Sequence, residues 1–224
     1  MITCRSTLHH PNVVLFLGAC LTPPHLCLVL EHCVHGSLHQ FLRSEDKHRI
    51  KISMSLVYRF AVDIARAVKY LHNKQHIVQR DLKARNVLVD ASLNAKVADF
   101  GLSREIQASG PEAHLTACGT PAWTAPEVVR GERYTDKVDV YSFGIIMWEL
   151  ISRKEPYGGK KGISVAYAAA QQGTRPEIPA FSPAPYTELM KHCWADQPQD
   201  RPTFNSILSR LFAMKKSADS LARE

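Results

Sequence analysis

The chain has 224 residues, and its 28 Lys and Arg residues exceed its 21 Asp and Glu residues, which gives a formal net charge of +7. A hydrophobic fraction of 45% and a charged fraction of 22% exclude a disordered, collagen-like or coiled-coil chain. No apolar run approaches the roughly 18 residues that a transmembrane helix requires, so we expect no membrane span. At about 150 residues per domain, the length corresponds to one large domain or two small ones.

Two short strands are the first predicted elements. Apolar runs at 13–20 and 26–31 flank the turn residues T-P-P-H, which is the pattern of a β-hairpin. The region could also be read as a signal peptide, because Arg5 precedes an apolar core and L-G-A-C at 17–20 is typical of a lipid-attachment box. A buried strand is the favoured interpretation, since short apolar runs rich in Val and Phe are also typical of strands.

After Gly36 the apolar spacing becomes helical. Apolar side chains recur every three or four residues over 56–71, and Ser53 or Ser55 is available as the N-cap. The sequence therefore predicts a long amphipathic helix at the start of a mostly helical body.

A second, largely apolar helix is predicted at 136–151, where it would be buried on most sides. Shorter elements are predicted as strands at 87–89 and 95–97 and as helices near 163–172, 186–194 and 203–213. Residues 103–122 show no periodicity and predict a long loop, and a loop of that length in a compact domain is usually functional.

The six cysteines stand at positions 4, 20, 27, 33, 118 and 193, with no C-x-x-C pair. This spacing favours free thiols in a reducing compartment over a disulfide framework or a zinc site, so the expected location is cytoplasmic. The basic residues form no run longer than two, so we predict no nucleic-acid partner, and a nucleic-acid binder is the weakest function hypothesis.

Three motifs carry the chemistry. R-D-L-K-A-R-N begins at Arg80, D-F-G begins at Asp99, which is 18 residues after Asp81, and A-P-E begins at Ala125. Each motif is weak alone, but their order and spacing are specific together. They resemble the catalytic loop, the metal-binding loop and the end of the activation segment of the protein kinases. The resemblance implies an α+β, protein-kinase-like fold, mainly the helical C-lobe with a residual β-hairpin of the N-lobe.

This resemblance extends along the whole chain and implies its division. Residues 1–31 would be a remnant of the N-lobe hairpin and the start of the hinge, 32–214 the helical C-lobe and 215–224 a tail. No G-x-G-x-x-G and no V-A-I-K lysine precede the hairpin. The expectation is therefore a partial kinase domain, with the activity of this chain alone in doubt.

The resemblance also implies roles for the catalytic residues. Asp81 would accept the proton of the substrate hydroxyl, and Lys83 would touch the γ-phosphate of ATP. Asn86 and Asp99 would supply oxygen ligands to Mg²⁺, a cation that prefers them. Gln79 stands where the family usually has His, and it can still donate and accept hydrogen bonds.

ATP is the second expected ligand. By resemblance, the backbone of the hinge at Glu31 and Cys33 would hydrogen-bond the adenine, and Leu88 would form the floor beneath the ring. The same resemblance makes two scaffold contacts expected, with Asp139 holding the catalytic loop and Arg201 forming a buried salt bridge with Glu127.

Regulation by phosphorylation is a further expectation. A phosphate on the long loop would pair with Arg80 and Arg104 and order the loop. Thr116 is the preferred site, with an ordinary solvated hydroxyl as the alternative. Thr120 is a weaker candidate, together with the serines at 103 and 109.

The acceptor class follows from a mixture of features. Lys83 and Thr120 are typical of Ser/Thr kinases, whereas A-R-N at 84–86 and W-T-A-P-E at 123–127 are typical of tyrosine kinases. The mixture resembles the tyrosine-kinase-like group, whose members mostly phosphorylate Ser and Thr of proteins. The leading hypothesis is an ATP-dependent Ser/Thr kinase. The alternative is a catalytically impaired fragment, a pseudokinase-like module that binds a kinase or scaffold partner through 155–185.

Overall fold

A small β-hairpin stands on a helical body in the computed structural model, which describes residues 8–44, 50–99, 103–105, 120–160 and 162–221. The strands are β1 (Phe16–Cys20), β2 (Cys27–Leu30), β3 (Ile77–Val78), β4 (Val87–Val89), β5 (Ala95–Val97) and β6 (Arg104–Glu105). The α-helices are α1 (Leu38–Leu42), α2 (Met54–Gln75), α3 (Pro126–Val129), α4 (Lys137–Ser152), α5 (Ile163–Gln171), α6 (Ala184–Cys193) and α7 (Phe204–Leu221). The expected α+β class is confirmed.

The strands pair two by two in antiparallel sheets, β1 with β2, β3 with β6, and β4 with β5. In the hairpin, Phe16 pairs with Leu30 and Cys20 with Cys27, and an irregularity separates Phe16 from Gly18. The two predicted hairpin strands are confirmed and are shorter than their apolar runs, and the strands predicted at 87–89 and 95–97 have the predicted bounds. L-G-A-C therefore lies inside β1.

The segment before β1 attaches the hairpin to the body. The amide of Val14 donates to the carbonyl of Val97 at 2.9 Å, and the amide of Val97 donates to the carbonyl of Asn12 at 2.8 Å. The Asn12 side chain also donates to the carbonyl of Ala95 at 3.0 Å. These bonds join the segment before the hairpin to β5.

The helix α2 is the axis of the body. Ser53 is its N-cap and accepts a hydrogen bond from the amide of Leu56 at 3.3 Å, which settles the choice between the two candidate serines. The helix ends where His76 adopts a left-handed backbone with φ +51°. Its apolar face is buried in the main core, where it contacts α4 and α7.

The helix α4 is buried along almost its whole length, as its apolar composition predicts. The helix α7 begins near the predicted residue but reaches Leu221, through much of the predicted tail. Met214 and Ala218 pack on the core and continue the helical spacing of Leu211, which explains the longer helix.

The predicted loop at 103–122 is described only at its two ends. Its first end pairs as β6 with β3, and its second end is a 3₁₀ turn at Pro121–Trp123. Residues 106–119 lie outside the described residues. Within the described ranges, no helix is long and apolar enough to cross a membrane.

Candidate active site

The backbone of the predicted catalytic loop is anchored by the side chain of Asp139 on α4. This carboxylate is fully buried and accepts hydrogen bonds from the amides of Gln79 at 2.8 Å and Arg80 at 2.9 Å. His72 Nε2 on α2 lies 2.7 Å from the same carboxylate. The expected contact between Asp139 and the loop is confirmed, and three elements meet at one side chain.

Gln79 joins the catalytic loop to the predicted metal loop. Its side-chain amide donates to the carbonyl of Asp99 at 3.0 Å, and its Oε1 accepts from the amide of Asp81 at 2.8 Å. Arg80 and Asp99 both have a left-handed backbone, with φ +65° and +53°. Such conformations are costly for residues other than glycine and are concentrated at functional sites. Gln79 therefore links the two strained turns of the site.

The side chains of Asp81, Lys83 and Thr120 form one cluster. Lys83 Nζ lies 2.6 Å from Asp81 Oδ2 and 2.7 Å from Thr120 Oγ1. The Thr120 hydroxyl and amide donate to Asp81 Oδ1 at 3.0 and 3.2 Å. Asn86 donates its side-chain amide to the Asp81 carboxylate at 2.9 Å. Asp81 therefore has four acceptor contacts, one of them with a threonine hydroxyl.

A cleft of about 350 Å³ opens beside this cluster. Apolar side chains from the hairpin form one wall, including Phe16, Leu28 and Leu30, and Leu88 lies among the residues of the opposite wall. Asn86 and Asp99 line the same cleft, together with Leu8, Val14, Arg85 and Ala98. Its size lies in the range of small-molecule sites, which are mostly apolar with a few polar groups.

The segment predicted to be the hinge is held by contacts of Glu31 and Cys33. The Glu31 carboxylate accepts from Lys96 Nζ at 2.9 Å and from the amide of Leu15 at 2.7 Å. Cys33 is buried against Val14 in a small apolar cluster, and burial is the main cause that raises the pKa of its thiol. The side chains of this segment thus fix the hinge to β5 and to the start of β1.

A second buried acid of α4 supports the site. Glu149 Oε2 accepts from Trp123 Nε1 at 2.8 Å and from the amide of Ala84 at 3.4 Å. Burial raises the pKa of Glu149 to about 7, and the nearby Arg43 opposes this rise. Sequence reasoning missed Glu149 and His72. For Glu149 the available signal is a charged residue among apolar neighbours in α4, since such residues are rarely buried without a partner.

The predicted salt bridge between Glu127 and Arg201 is confirmed. Arg201 Nη1 and Nη2 lie 2.7 and 2.8 Å from the two carboxylate oxygens of Glu127, and both side chains are buried. This bidentate pair connects the A-P-E motif to the segment before α7.

The predicted regulatory residues lie at different places. Arg80 Nη1 donates to the Tyr134 hydroxyl at 3.3 Å. Arg104 belongs to the short strand β6, and its side chain lies outside the described residues, as does Thr116. Thr120 is described, and it lies in the Asp81 cluster.

A helical body, a small β-hairpin above it, and a cleft at the ends of two loops that carry Asp81 and Asp99 are the architecture of a protein kinase. The chain belongs to the protein tyrosine and serine/threonine kinase family, whose model matches residues 2–211. The expected resemblance is thereby confirmed.

Three curated relatives show how closely the chain matches. It is 46% identical over 211 residues to the probable serine/threonine-protein kinase drkB of Dictyostelium discoideum, with 94% of this chain and 30% of that protein covered. It is 44% identical over 220 residues to drkA of the same organism, with 98% and 33% covered. It is 39% identical over 211 residues to the serine/threonine/tyrosine-protein kinase HT1 of Arabidopsis thaliana, with 94% and 53% covered. The chain thus spans about a third of the length of the first two relatives.

Proposed function

We propose that the chain is a catalytic part of an ATP-dependent protein kinase that phosphorylates Ser and Thr hydroxyls of protein substrates. The observation that carries this proposal is the cluster in which Asp81 and Lys83 both contact the hydroxyl of Thr120. A hydroxyl already lies where an aligned acceptor hydroxyl is needed. The acceptor class is supported by drkB and drkA, which are named serine/threonine kinases, whereas HT1 is named a serine/threonine/tyrosine kinase.

The chemistry assigns one task to each side chain. The acceptor oxygen attacks the γ-phosphorus while Asp81 takes up the hydroxyl proton, and the bond to the bridging oxygen breaks to release ADP. Lys83 stabilises negative charge on the transferred group. The substrate hydroxyl would take the place of Thr120 Oγ1, because the Asp81 carboxylate has no further acceptor sites.

Asn86 and Asp99 fit a magnesium ion. Asn86 uses its amide nitrogen on Asp81, which leaves its carbonyl oxygen as the ligand atom, and Asp99 supplies a carboxylate to the same cleft. This pair of hard oxygen donors is suited to Mg²⁺. The ion would neutralise phosphate charge when bound. The cleft walls would hold the adenine against Leu88, with hinge backbone groups at Glu31 and Cys33 as its partners.

Loss of the Asp81 carboxylate tests the proposal. We expect Asp81→Asn to lower phosphoryl transfer from ATP to a protein substrate by about 10²–10⁴-fold, the usual contribution of a positioned acid or base. Magnesium-dependent ATP binding, measured by thermal shift, should persist. Asp200→Asn is the matched control, because Asp200 is exposed in a 3₁₀ turn outside the cleft. Equal transfer by both variants would contradict the role of Asp81.

The second candidate is a pseudokinase-like interaction module. The observation that favours it is the exposure of all four residues of β2, an apolar strand that offers a surface to a partner. Binding of ATP without measurable phosphoryl transfer by the chain, together with capture of a kinase or scaffold by the wild-type hairpin, would favour this candidate over the first. Replacing Val29, whose side chain is about half exposed, by Asp should then abolish the capture.

A further inference from the structure

Two cysteines meet across the hairpin. Cys20 ends β1 and Cys27 begins β2, and the register places them directly opposite one another. Directly opposed residues of antiparallel strands lie on the same face with Cβ atoms about 4.5–5.5 Å apart. A disulfide needs Cα atoms about 4.4–6.8 Å apart and Cβ atoms near 3.5–4.5 Å, so a small adjustment joins the two. Both are free thiols in this structure.

These two thiols are also accessible. Cys27 is exposed and Cys20 is partly exposed, whereas Cys33 and Cys193 are buried. Burial raises the pKa of the Cys33 and Cys193 thiols, which keeps both protonated. The thiolate is the reactive form, so Cys33 and Cys193 are shielded from oxidation both by burial and by protonation. Among the cysteines that the structure describes, the hairpin pair is therefore the reactive one.

The two cysteines belong to the same strands that form a wall of the cleft. Leu28 and Leu30 of β2 line the cleft, and successive strand residues point to opposite faces. Cys27 therefore lies on the other face of the hairpin, and a bond to Cys20 would brace the cleft wall from outside without filling the cleft.

We propose that Cys20 and Cys27 form a reversible redox pair that closes to a cross-strand disulfide in the presence of a small disulfide oxidant such as glutathione disulfide. One cysteine thiolate attacks a sulfur of the oxidant and releases one glutathione thiol. The second cysteine then attacks the mixed disulfide, forms the Cys20–Cys27 bond and releases the second glutathione thiol. The protein loses two electrons and two protons, which reduce the oxidant to two thiols. The proposal rests on the hairpin register and is independent of kinase activity.

The sequence allows a direct assay. Cleavage after Arg5 and after Glu31 yields the peptide 6–31, which contains Cys20 and Cys27 and no other cysteine. The native full chain is equilibrated with mixtures of reduced and oxidised glutathione, alkylated and digested with trypsin and a glutamate-specific protease. We expect this peptide to lose two hydrogen atoms in mass and both alkylation sites. In urea, the same degree of disulfide formation should require a glutathione mixture that is about an order of magnitude more oxidising, because the folded hairpin holds the two thiols together.

Single variants test the two-step route. In Cys27→Ser, Cys20 should retain a glutathione adduct, since no second thiol resolves it, and Cys20→Ser should behave as its mirror image. The oxidised wild type should also show slower hydrogen exchange over residues 16–30 than the Cys27→Ser chain. Glutathione adducts on both cysteines of the wild type, cross-links of either one to Cys4 or Cys118, or equal oxidation in urea and in the native chain would each overturn the proposal.

Discussion

Substitution of Glu127 by Gln removes the only carboxylate that faces the buried guanidinium of Arg201 in the described chain, and it does so with little change of size. All five N–H donors of Arg201 have partners. Two bonds reach Glu127 at 2.7 and 2.8 Å, and the others reach the carbonyls of Lys137, Asp196 and Ala195 at 2.9–3.0 Å. The variant keeps the carbonyl contacts and leaves the charge of Arg201 without an opposite charge.

The expected cost is large because water does not reach the pair. The side chains of Arg201 and Glu127 are 0% and 1% exposed. Removal of one partner of a buried ion pair costs about 3–5 kcal/mol, and the remaining acceptor of Gln places the estimate near the lower end, at about 3 kcal/mol. With a urea slope of about 2 kcal/mol per molar, the midpoint of unfolding should fall by about 1.5 M.

Equilibrium urea unfolding followed by circular dichroism measures this loss. Glu188→Gln is the matched control, because Glu188 faces Arg210 at 3.3 Å with its side chain 65% exposed. An exposed pair of this kind contributes about 0–1 kcal/mol. If Glu127→Gln shifts the midpoint no further than Glu188→Gln, the reasoning from burial is refuted.

Three further outcomes follow from the structure. Burial raises the pKa of Glu149 from its ordinary value of 4.5 to about 7, so the stability that the protonated acid contributes is complete below pH 4.5 and is lost as the pH rises through 7. This change in pKa corresponds to about 3 kcal/mol in the free energy of unfolding. In Glu149→Gln, the free energy of unfolding should therefore vary less with pH between about pH 5 and 8. Gly144→Ala would place a Cβ 3.0 Å from the Cys193 Cβ and the Trp194 nitrogen, so urea unfolding should show a loss of about 1–3 kcal/mol, whereas Gly18→Ala meets open space. Asp139→Asn replaces one accepting oxygen by an amide group that faces the N–H donors of the catalytic loop. It should lower the free energy of unfolding in urea by about 2 kcal/mol and should also lower the rate of phosphoryl transfer. If neither quantity changes, Asp139 does not anchor the loop.

Several features of the fold could be predicted from the sequence because they depend on residues that are close together in the chain. The N-cap at Ser53 and the apolar spacing after it define α2, and the continued spacing of α7 was visible but was cut short in the prediction. The motifs around Asp81 and Asp99 were sufficient for the family, since their order and spacing in the chain carry the signal.

The contacts across the site needed the folded chain. Thr120 follows Lys83 by 37 residues, and its place in the Asp81 cluster depends on the path of the intervening segments. Sequence reasoning therefore treated it as a mark of the Ser/Thr acceptor class and as a phosphorylation candidate, without placing it beside Asp81. Ala84 and Glu149 are 65 residues apart in the chain, and the neighbouring sequence of neither residue predicts their contact.

The sequence by itself determined the longer helices, the hairpin, the kinase family and the residue types of the catalytic motifs, because periodicity, capping and motif spacing act over a few residues. Only the tertiary structure decided which hydroxyl meets Asp81, which acids support the loop, and that Cys20 faces Cys27 across the hairpin. Those pairings depend on strand register and on strained turns such as the one at Arg80, and their energies come from groups that are brought together only when distant parts of the chain pack.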